Sequence, residues 1–318
     1  EFFSRCVREP DDDLLSMLVA LGSQIGQFIE RNRIADQLAR YADELRARNA
    51  QLEADLDMAR DIQQVFLTQT YPSFPPGVAP EESWLRFCHC YRPAQSVGGD
   101  FFCVLPLSAN EAGVFICDVI GHGLRAALVT AIVRGLVEEL TPVAIDPGRF
   151  MTQINRSLRA IFRQTETPML ASAFYLVVNI DNGQMTYANA GHPPPFHVRR
   201  GAGVVETLGF DEGHGPVLGI FEEAEYCAGY CATAAEDLVM LFTDGLFEVE
   251  IANGEFYGQE RLLATVRDRM RLPAGELFGE VLAEVQERRV WREFEDDVCL
   301  VGMEVMRTGM VDASRRVA

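Results

Sequence analysis

The 318-residue sequence predicts an α+β fold, an antiparallel β-sandwich with helices packed outside it, carried behind a long N-terminal helix. Three observations predict it. Strand patterns and helix patterns come in blocks rather than in strict alternation. A repeat of apolar residues at alternating spacings of four and three runs without Gly or Pro from about residue 35 to 66. A Pro-rich stretch over 70–84 (TYPSFPPGVAPEESW) then stops that helix and marks a domain boundary.

The N-terminal elements follow from caps and periodicity. Residues 1–10 open on a short apolar stretch, and Asp11, Asp12 and Asp13 supply cap and first-turn acids for a helix. That helix carries Leu14, Leu15, Leu18, Leu21, Ile25, Phe28 and Ile29 on one stripe. One strand end and one helix cannot enclose a core, so residues 1–33 are expected to be the tail of a further domain. Over 34–69 the positions Leu38, Ala42, Leu45, Asn49, Leu52, Leu56, Ala59, Gln63 and Phe66 form a heptad seam with two polar members. The other faces are charged, so the expectation is a parallel coiled coil that makes a homodimer through this linker helix.

Beyond the boundary, residues 85–306 read as one domain and 307–318 as a tail. Strands are expected over 85–91, 101–106, 114–118, 171–180, 184–190, 226–231, 238–242 and 298–305. Asp181-Asn182-Gly183 predicts a hairpin between two of them. Helices are expected over 124–140, 148–163, 259–271 and 274–289.

Composition narrows the function classes. A net charge of −19 excludes an ordinary nucleic-acid surface and docking on anionic lipid. No apolar run approaches the ~20 residues a membrane span needs, and no basic-then-apolar leader opens the sequence, so a cytoplasmic protein is expected. Most of the eight cysteines sit in apolar runs, no CxxC pair occurs, and alternation turns His89 away from Cys88 and Cys90. Reduced core cysteines are therefore expected, rather than zinc ligands or disulfides.

Four aspartates stand where apolar runs end: Asp100 in VGGDFF, Asp118 in CDVIGHG, Asp244 in FTDGL and Asp296 in EDDVCLV. Taken singly each motif is weak, since Gly-Gly-Asp or Thr-Asp-Gly is more often a turn in which Asp caps and Gly supplies a positive φ, while the Asp-x-x-Gly-His-Gly run is more specific because its glycines allow close backbone approach to a ligand or metal. Together, strand-end carboxylates converging on one edge of a sandwich would raise each other's pKa, and divalent cations would relieve that conflict. Oxygen ligands with few imidazoles suit Mg²⁺ or Mn²⁺.

These motifs, with YANAGHPP over 187–194 and Ala126-Ala127-Leu128 after the glycines, occur in an order that resembles the PPM-type (type 2C) metal-dependent serine/threonine protein phosphatases, and within them the bacterial SpoIIE-type branch. The resemblance covers about Leu85 to Val305. It implies the α-β-β-α sandwich of that family and a phosphoserine or phosphothreonine phosphatase using two Mn²⁺ or Mg²⁺ ions. A hydroxide shared by the two ions would attack phosphorus in line. By the same resemblance Asp118 bridges the ions, the Val119 carbonyl is a backbone ligand, Asp100 binds a metal or orders its water, and Asp244 and Asp296 hold the second ion. Asp297 stands beside Asp296 where relatives have Asp or Asn, so either acid could be the last ligand. His122 either donates a proton to the leaving group or shapes its turn. Arg92 is a candidate for holding phosphate, and His192 either structures its turn or touches substrate. Ile120 and Cys103 depart from the family's usual Ser and Asp, at positions that are not ligands.

The branch further implies a phosphorylated STAS-domain regulator, an anti-sigma-factor antagonist, as substrate. Residues 1–33 resemble the last strand and helix of a GAF sensory domain, which implies control from an upstream module. The rival reading is a catalytically silent dimeric scaffold that keeps the fold. A diguanylate cyclase reading of Gly98-Gly99-Asp100-Phe101-Phe102 fails because Phe101 stands where that signature has an acid.

Overall fold

A computed structural model describes residues 11–68, 70–121, 123–163, 169–209, 214–252, 254–291 and 294–309. His122 and residues 1–10 lie outside the described residues. Helix α1 spans Asp12–Leu67 and passes the expected boundary near residue 33 without a break. The chain divides into two units, Glu1–Asp55 and Leu56–Ala318. Described residues of the first unit are the helical stretch of α1, and its Leu38, Leu45 and Leu52 are 63%, 59% and 59% exposed. No described helix is long and apolar enough to cross a membrane.

The second unit holds two five-stranded antiparallel sheets. The first takes the order β1 (Leu85–Arg92), β12 (Val298–Val305), β9 (Leu238–Phe242), β6 (Phe196–Arg199), β7 (Val204–Thr207). The second takes the order β2 (Asp100–Pro106), β3 (Glu111–Val119), β4 (Ala171–Asn179), β5 (Gln184–Ala190), β8 (Gly229–Ala232). Helices α2 (Leu124–Glu139) and α3 (Pro147–Phe162) pack on the second sheet, and α4 (Gly258–Asp268) and α5 (Ala274–Arg288) on the first. A small hairpin, β10 (Glu250–Ile251) and β11 (Glu255–Phe256), follows β9. This is the expected α-β-β-α architecture.

Alternation explains why β9 and β12 read as unbroken apolar runs. Val239, Leu241, Cys299, Val301 and Met303 face the core between the sheets. Leu238, Met240, Phe242, Val298 and Leu300 face the core under α4 and α5. A strand buried on both faces has no polar side to show. The hairpin at 181–183 forms as expected, with Gly183 at φ 62°. Strand β8 begins at Gly229, three residues later than expected. Strands β6 and β7 were not expected. They are four residues each, and the prolines at 193–195 hide the first of them.

Candidate metal centre

The topology brings the strand-end acids to one end of the sandwich. Asp100 opens β2 directly opposite Asp118 near the end of β3, and Ser172 pairs with Asp118 from the far side. In the other sheet β9 ends at Phe242 and β12 begins at Val298, with Phe242 opposite Leu300. Asp244 therefore leaves β9 at the same end at which Asp296 and Asp297 lead into β12. Thr243 ties the sheets together, donating its hydroxyl to Asp100 Oδ2 at 2.7 Å. It also accepts from the Cys299 amide at 2.9 Å.

Burial and mutual repulsion shift these acids. Asp100 is 1% exposed, and its Oδ1 is buried with no hydrogen-bond partner. Its pKa is raised well above the usual carboxylate range, first by burial and then by Asp118, Asp297 and Asp244, against the hydrogen bond from Thr243. Asp118 is pushed up to about 7 by burial and by Asp244, Asp296 and Asp297. Asp244 rises to about 6 through burial, Glu248 and Asp296. Glu248 escaped sequence reasoning, although it lies four residues beyond Asp244, just past the short helical turn that starts there, and its amide donates to the Asp244 carbonyl at 2.8 Å.

Asp296 and Asp297 have different surroundings. Asp297 is buried, and its two oxygens accept the amides of Ala94 at 2.8 Å and Gly99 at 2.5 Å. Burial raises its pKa while those amides lower it. Asp296 is exposed and accepts the Asp297 amide at 2.8 Å. Asp297 is thus a strap on the turn that delivers Asp100, while the Asp296 side chain stands at the open surface.

That turn is held from the linker as well. Gln63 donates Nε2 to the Gly98 carbonyl at 2.7 Å and accepts the Gly98 amide at 3.0 Å. Arg60 Nε donates to the Ser96 carbonyl at 3.0 Å. Gln63 is 7% exposed, so it is a contact within the second unit and not the polar seam position that the heptad suggested. A lone spacing rule could not tell the two apart. Glycine is required here by close approach, since a Cβ on Gly98 would run into the Tyr91 hydroxyl and Asp297 Oδ2. Val119 is buried, its amide donates to the Gly99 carbonyl at 3.2 Å, and its own carbonyl lies 2.8 Å from where a Gly99 Cβ would stand.

Of the remaining candidates, Arg92 ends β1 opposite Val298, exposed and one residue from Asp297 in register. His192 is 2% exposed, which removes it from direct contact with a substrate. Ile120 is 58% exposed, and Cys103 is buried within β2. The expected role of His122 falls outside the described residues.

The residues fit a hard divalent cation in their chemistry. The donors are all oxygen, the carboxylates destabilise one another, and one buried carboxylate oxygen lacks a partner. Among the described residues, however, no three His, Cys, Asp or Glu side chains close onto a common point that could hold an ion.

Comparison with known proteins gives a consistent result. The family described as Stage II sporulation protein E (SpoIIE) matches residues 108–306. The chain is 24% identical to the phosphoserine phosphatase RsbP of Bacillus subtilis over 252 residues, covering 79% of this chain and 58% of RsbP. It is 26% identical to the phosphoserine phosphatase RsbU of the same organism over 253 residues, covering 79% of this chain and 71% of RsbU. The chain thus spans little more than half of the first of these relatives. In structure it resembles the SiaA-PP2C domain of Pseudomonas aeruginosa, with a TM-score of 0.66 at 20% identity, over 80% of this chain and 98% of that one. These matches give no support to the expected GAF remnant over residues 1–33.

Proposed function

Because the chain belongs to the SpoIIE family, we propose that it is a metal-dependent protein phosphatase that removes phosphate from serine or threonine of a protein regulator. The observation that carries this reading is the set of carboxylates from both sheets that raise one another's pKa around the buried, unpartnered Oδ1 of Asp100. Asp100, Asp118, Asp244, Asp296 and the Val119 carbonyl would hold two Mn²⁺ or Mg²⁺ ions. Bound there, such ions acidify a water molecule and neutralise charge on the phosphoryl oxygens. The chain's own groups do the rest. Thr243 fixes the orientation of Asp100. Asp297, with both oxygens committed to amides, holds the turn and leaves ligation to Asp296. Arg92 supplies positive charge for the phosphate at the same sheet end. His122, between two glycines of positive φ, is the proton donor to the leaving oxygen.

The substrate we favour is a phosphorylated STAS-domain antagonist of an anti-sigma factor, by analogy with RsbP and RsbU as phosphoserine phosphatases. Phosphate release from such a protein, measured without metal, with Mn²⁺ and with Mg²⁺, tests this. Release that requires Mn²⁺ and stops with chelator is expected. A folded chain that releases none with either ion is the silent scaffold instead.

Control by an upstream sensory module would act through α1, whose Gln63 grips the turn before Asp100. In the same assay Gln63→Ala should raise the Mn²⁺ requirement about 10-fold, as loss of an outer-shell support does. An unchanged requirement removes the linker from the mechanism. The exposed Leu38, Leu45 and Leu52 stripe is proposed as the seam with a second copy. Light scattering should find a dimer for the whole chain and a monomer for Leu45→Asp. Equal masses for the two would discard the seam.

A further inference from the structure

Main-chain pairing continues past the end of β3 and carries the face of Asp118 onto an apolar strip. The Ile120 amide donates to the Leu170 carbonyl at 2.9 Å, one step beyond the Val119–Ala171 pair. Ala171 in turn exchanges both main-chain hydrogen bonds with Leu218, at 3.2 and 2.8 Å. Val119, Ala171 and Leu218 are all buried and share one face. Alternation puts Ile120 and Leu170 on the other face, which is the face of Asp118 and its partner Ser172. Exposed Ile120 is thus two residues, about 7 Å, along the chain from Asp118. Beside Leu170 stands Gly219, whose Cβ position would lie 3.6 Å from Leu170 Cδ2, so the leucine side chain reaches across it. Ile220 and Phe221 follow directly, 40% and 59% exposed.

The loop that shows these two side chains is held by its backbone. Asn155 of α3, itself fully buried, accepts the Gly219 amide at 2.8 Å and donates to the Phe221 carbonyl at 2.8 Å. The Tyr226 hydroxyl donates to the Pro216 carbonyl at 2.9 Å. None of these bonds uses the side chain of Ile220 or Phe221, so the fold does not depend on either. Isolated exposed apolar residues are ordinary, but a joined strip on a fixed backbone loses little entropy when it is covered. Beyond Phe221 the surface turns acidic, with an open groove lined by Arg156, Glu222, Glu223 and Glu225. Its one cation already pairs with Glu225 at 3.5 Å, which leaves the groove negative.

We propose that Ile120, Leu170, Ile220 and Phe221 dock the phosphorylated protein beside the acids, and that the strip selects a segment with an apolar residue two positions from the phosphorylated one and basic residues further out. The phosphate in that segment rests on the phosphatase reading. The occupant follows from the continuity of the strip with the face of Asp118 and from the charge of the groove. Ile120 determines specificity, since the serine usual in the family at that position would interrupt the strip at its start.

Three phosphoserine peptides test this on the whole chain. The first carries Leu two positions to either side of the phosphoserine and Lys at both ends. The second replaces both Leu by Ser, and the third replaces the Lys by Glu. Binding, by fluorescence anisotropy, and kcat/KM for phosphate release are both measured with Mn²⁺. Wild type should favour the first peptide over the second about 10-fold in both readouts, the worth of one half-covered leucine. It should favour the first over the third about 3-fold at low salt, and equally little at high salt. Ile120→Ser and Phe221→Ser should each reduce the Leu preference to about 3-fold or less, with the loss falling on the Leu peptide. Phosphate release without any Leu preference, or with a preference that both variants keep, refutes the strip and leaves the phosphatase reading intact. Leu-selective binding without release refutes the phosphatase reading and leaves the strip. Neither binding nor release overturns both. A chain whose mass by light scattering falls with Phe221→Ser gives the strip to a second copy and overturns the docking.

Discussion

Asp118→Asn should abolish phosphate release, lowering it roughly 10³-fold or more, equivalent to ~4 kcal/mol of lost transition-state stabilisation. The amide keeps the shape of the side chain and removes the charge that both ions would share. The same substitution should stabilise the metal-free protein at pH 8. In the folded chain Asp118 titrates near 7, raised from an ordinary 3.8 by burial and by Asp244, Asp296 and Asp297. A carboxylate raised on folding binds more protons folded than unfolded between those two values. Its favourable contribution is complete below about 3.8 and is lost as pH rises through about 7. Thermal melts of metal-free wild type should therefore fall steadily from pH 4 to pH 8. The Asp118→Asn protein should show a flatter profile and the higher melting point at pH 8. Parallel profiles for the two proteins would mean that Asp118 is not under electrostatic stress.

The second large effect is expected at Gly245. A Cβ there would collide with the Asp297 carbonyl oxygen, and would lie 3.0 Å from its carbon and 3.2 Å from the Asp296 carbonyl carbon. All three contacts are main chain, which has no rotamer with which to yield. Gly245→Ala must push the Asp244 turn away from the chain that bears Asp296 and Asp297. Overpacking of this kind costs about 1–3 kcal/mol. For a domain of this size that lowers the melting point by roughly 2–4 °C per kcal/mol. Mn²⁺ affinity should fall as well, because the displacement separates acids carried by neighbouring strands. Gly275→Ala is the control, since nothing lies within 4 Å of its Cβ position. It should melt as wild type does. A Gly245→Ala protein with wild-type stability and affinity would show that the two turns are not packed as described.

How much was legible in the sequence depended on the range of the interaction. Strands β9 and β12 were legible because burial on both faces leaves a continuous apolar run. The acids were legible because each stands where such a run stops, and antiparallel pairing then places Asp100 opposite Asp118. Strands β6 and β7 were not legible, because four residues carry too little alternation and the prolines before them read as loop. Gln63 fitted a heptad position by spacing, but its amide pairs with Gly98 across 35 residues of sequence. No local pattern encodes that contact. Asp296 and Asp297 are adjacent and alike in sequence, and only the amides of Ala94 and Gly99 separate their environments. His192 sat in a recognisable turn, yet its burial, with Nδ1 2.8 Å from Ser172 Oγ on the neighbouring strand, depends on a contact 20 residues away in sequence.

The central claim is that carboxylates crowded at one end of the sandwich are built around divalent cations, and calorimetric titration of Mn²⁺ into the wild-type chain tests it most directly. The account predicts two ions per chain, with protons released on binding at pH 6.5, where Asp118 is largely protonated, and few released at pH 8.5. Absence of binding at millimolar Mn²⁺, or binding that ignores both pH and Asp118→Asn, would contradict it.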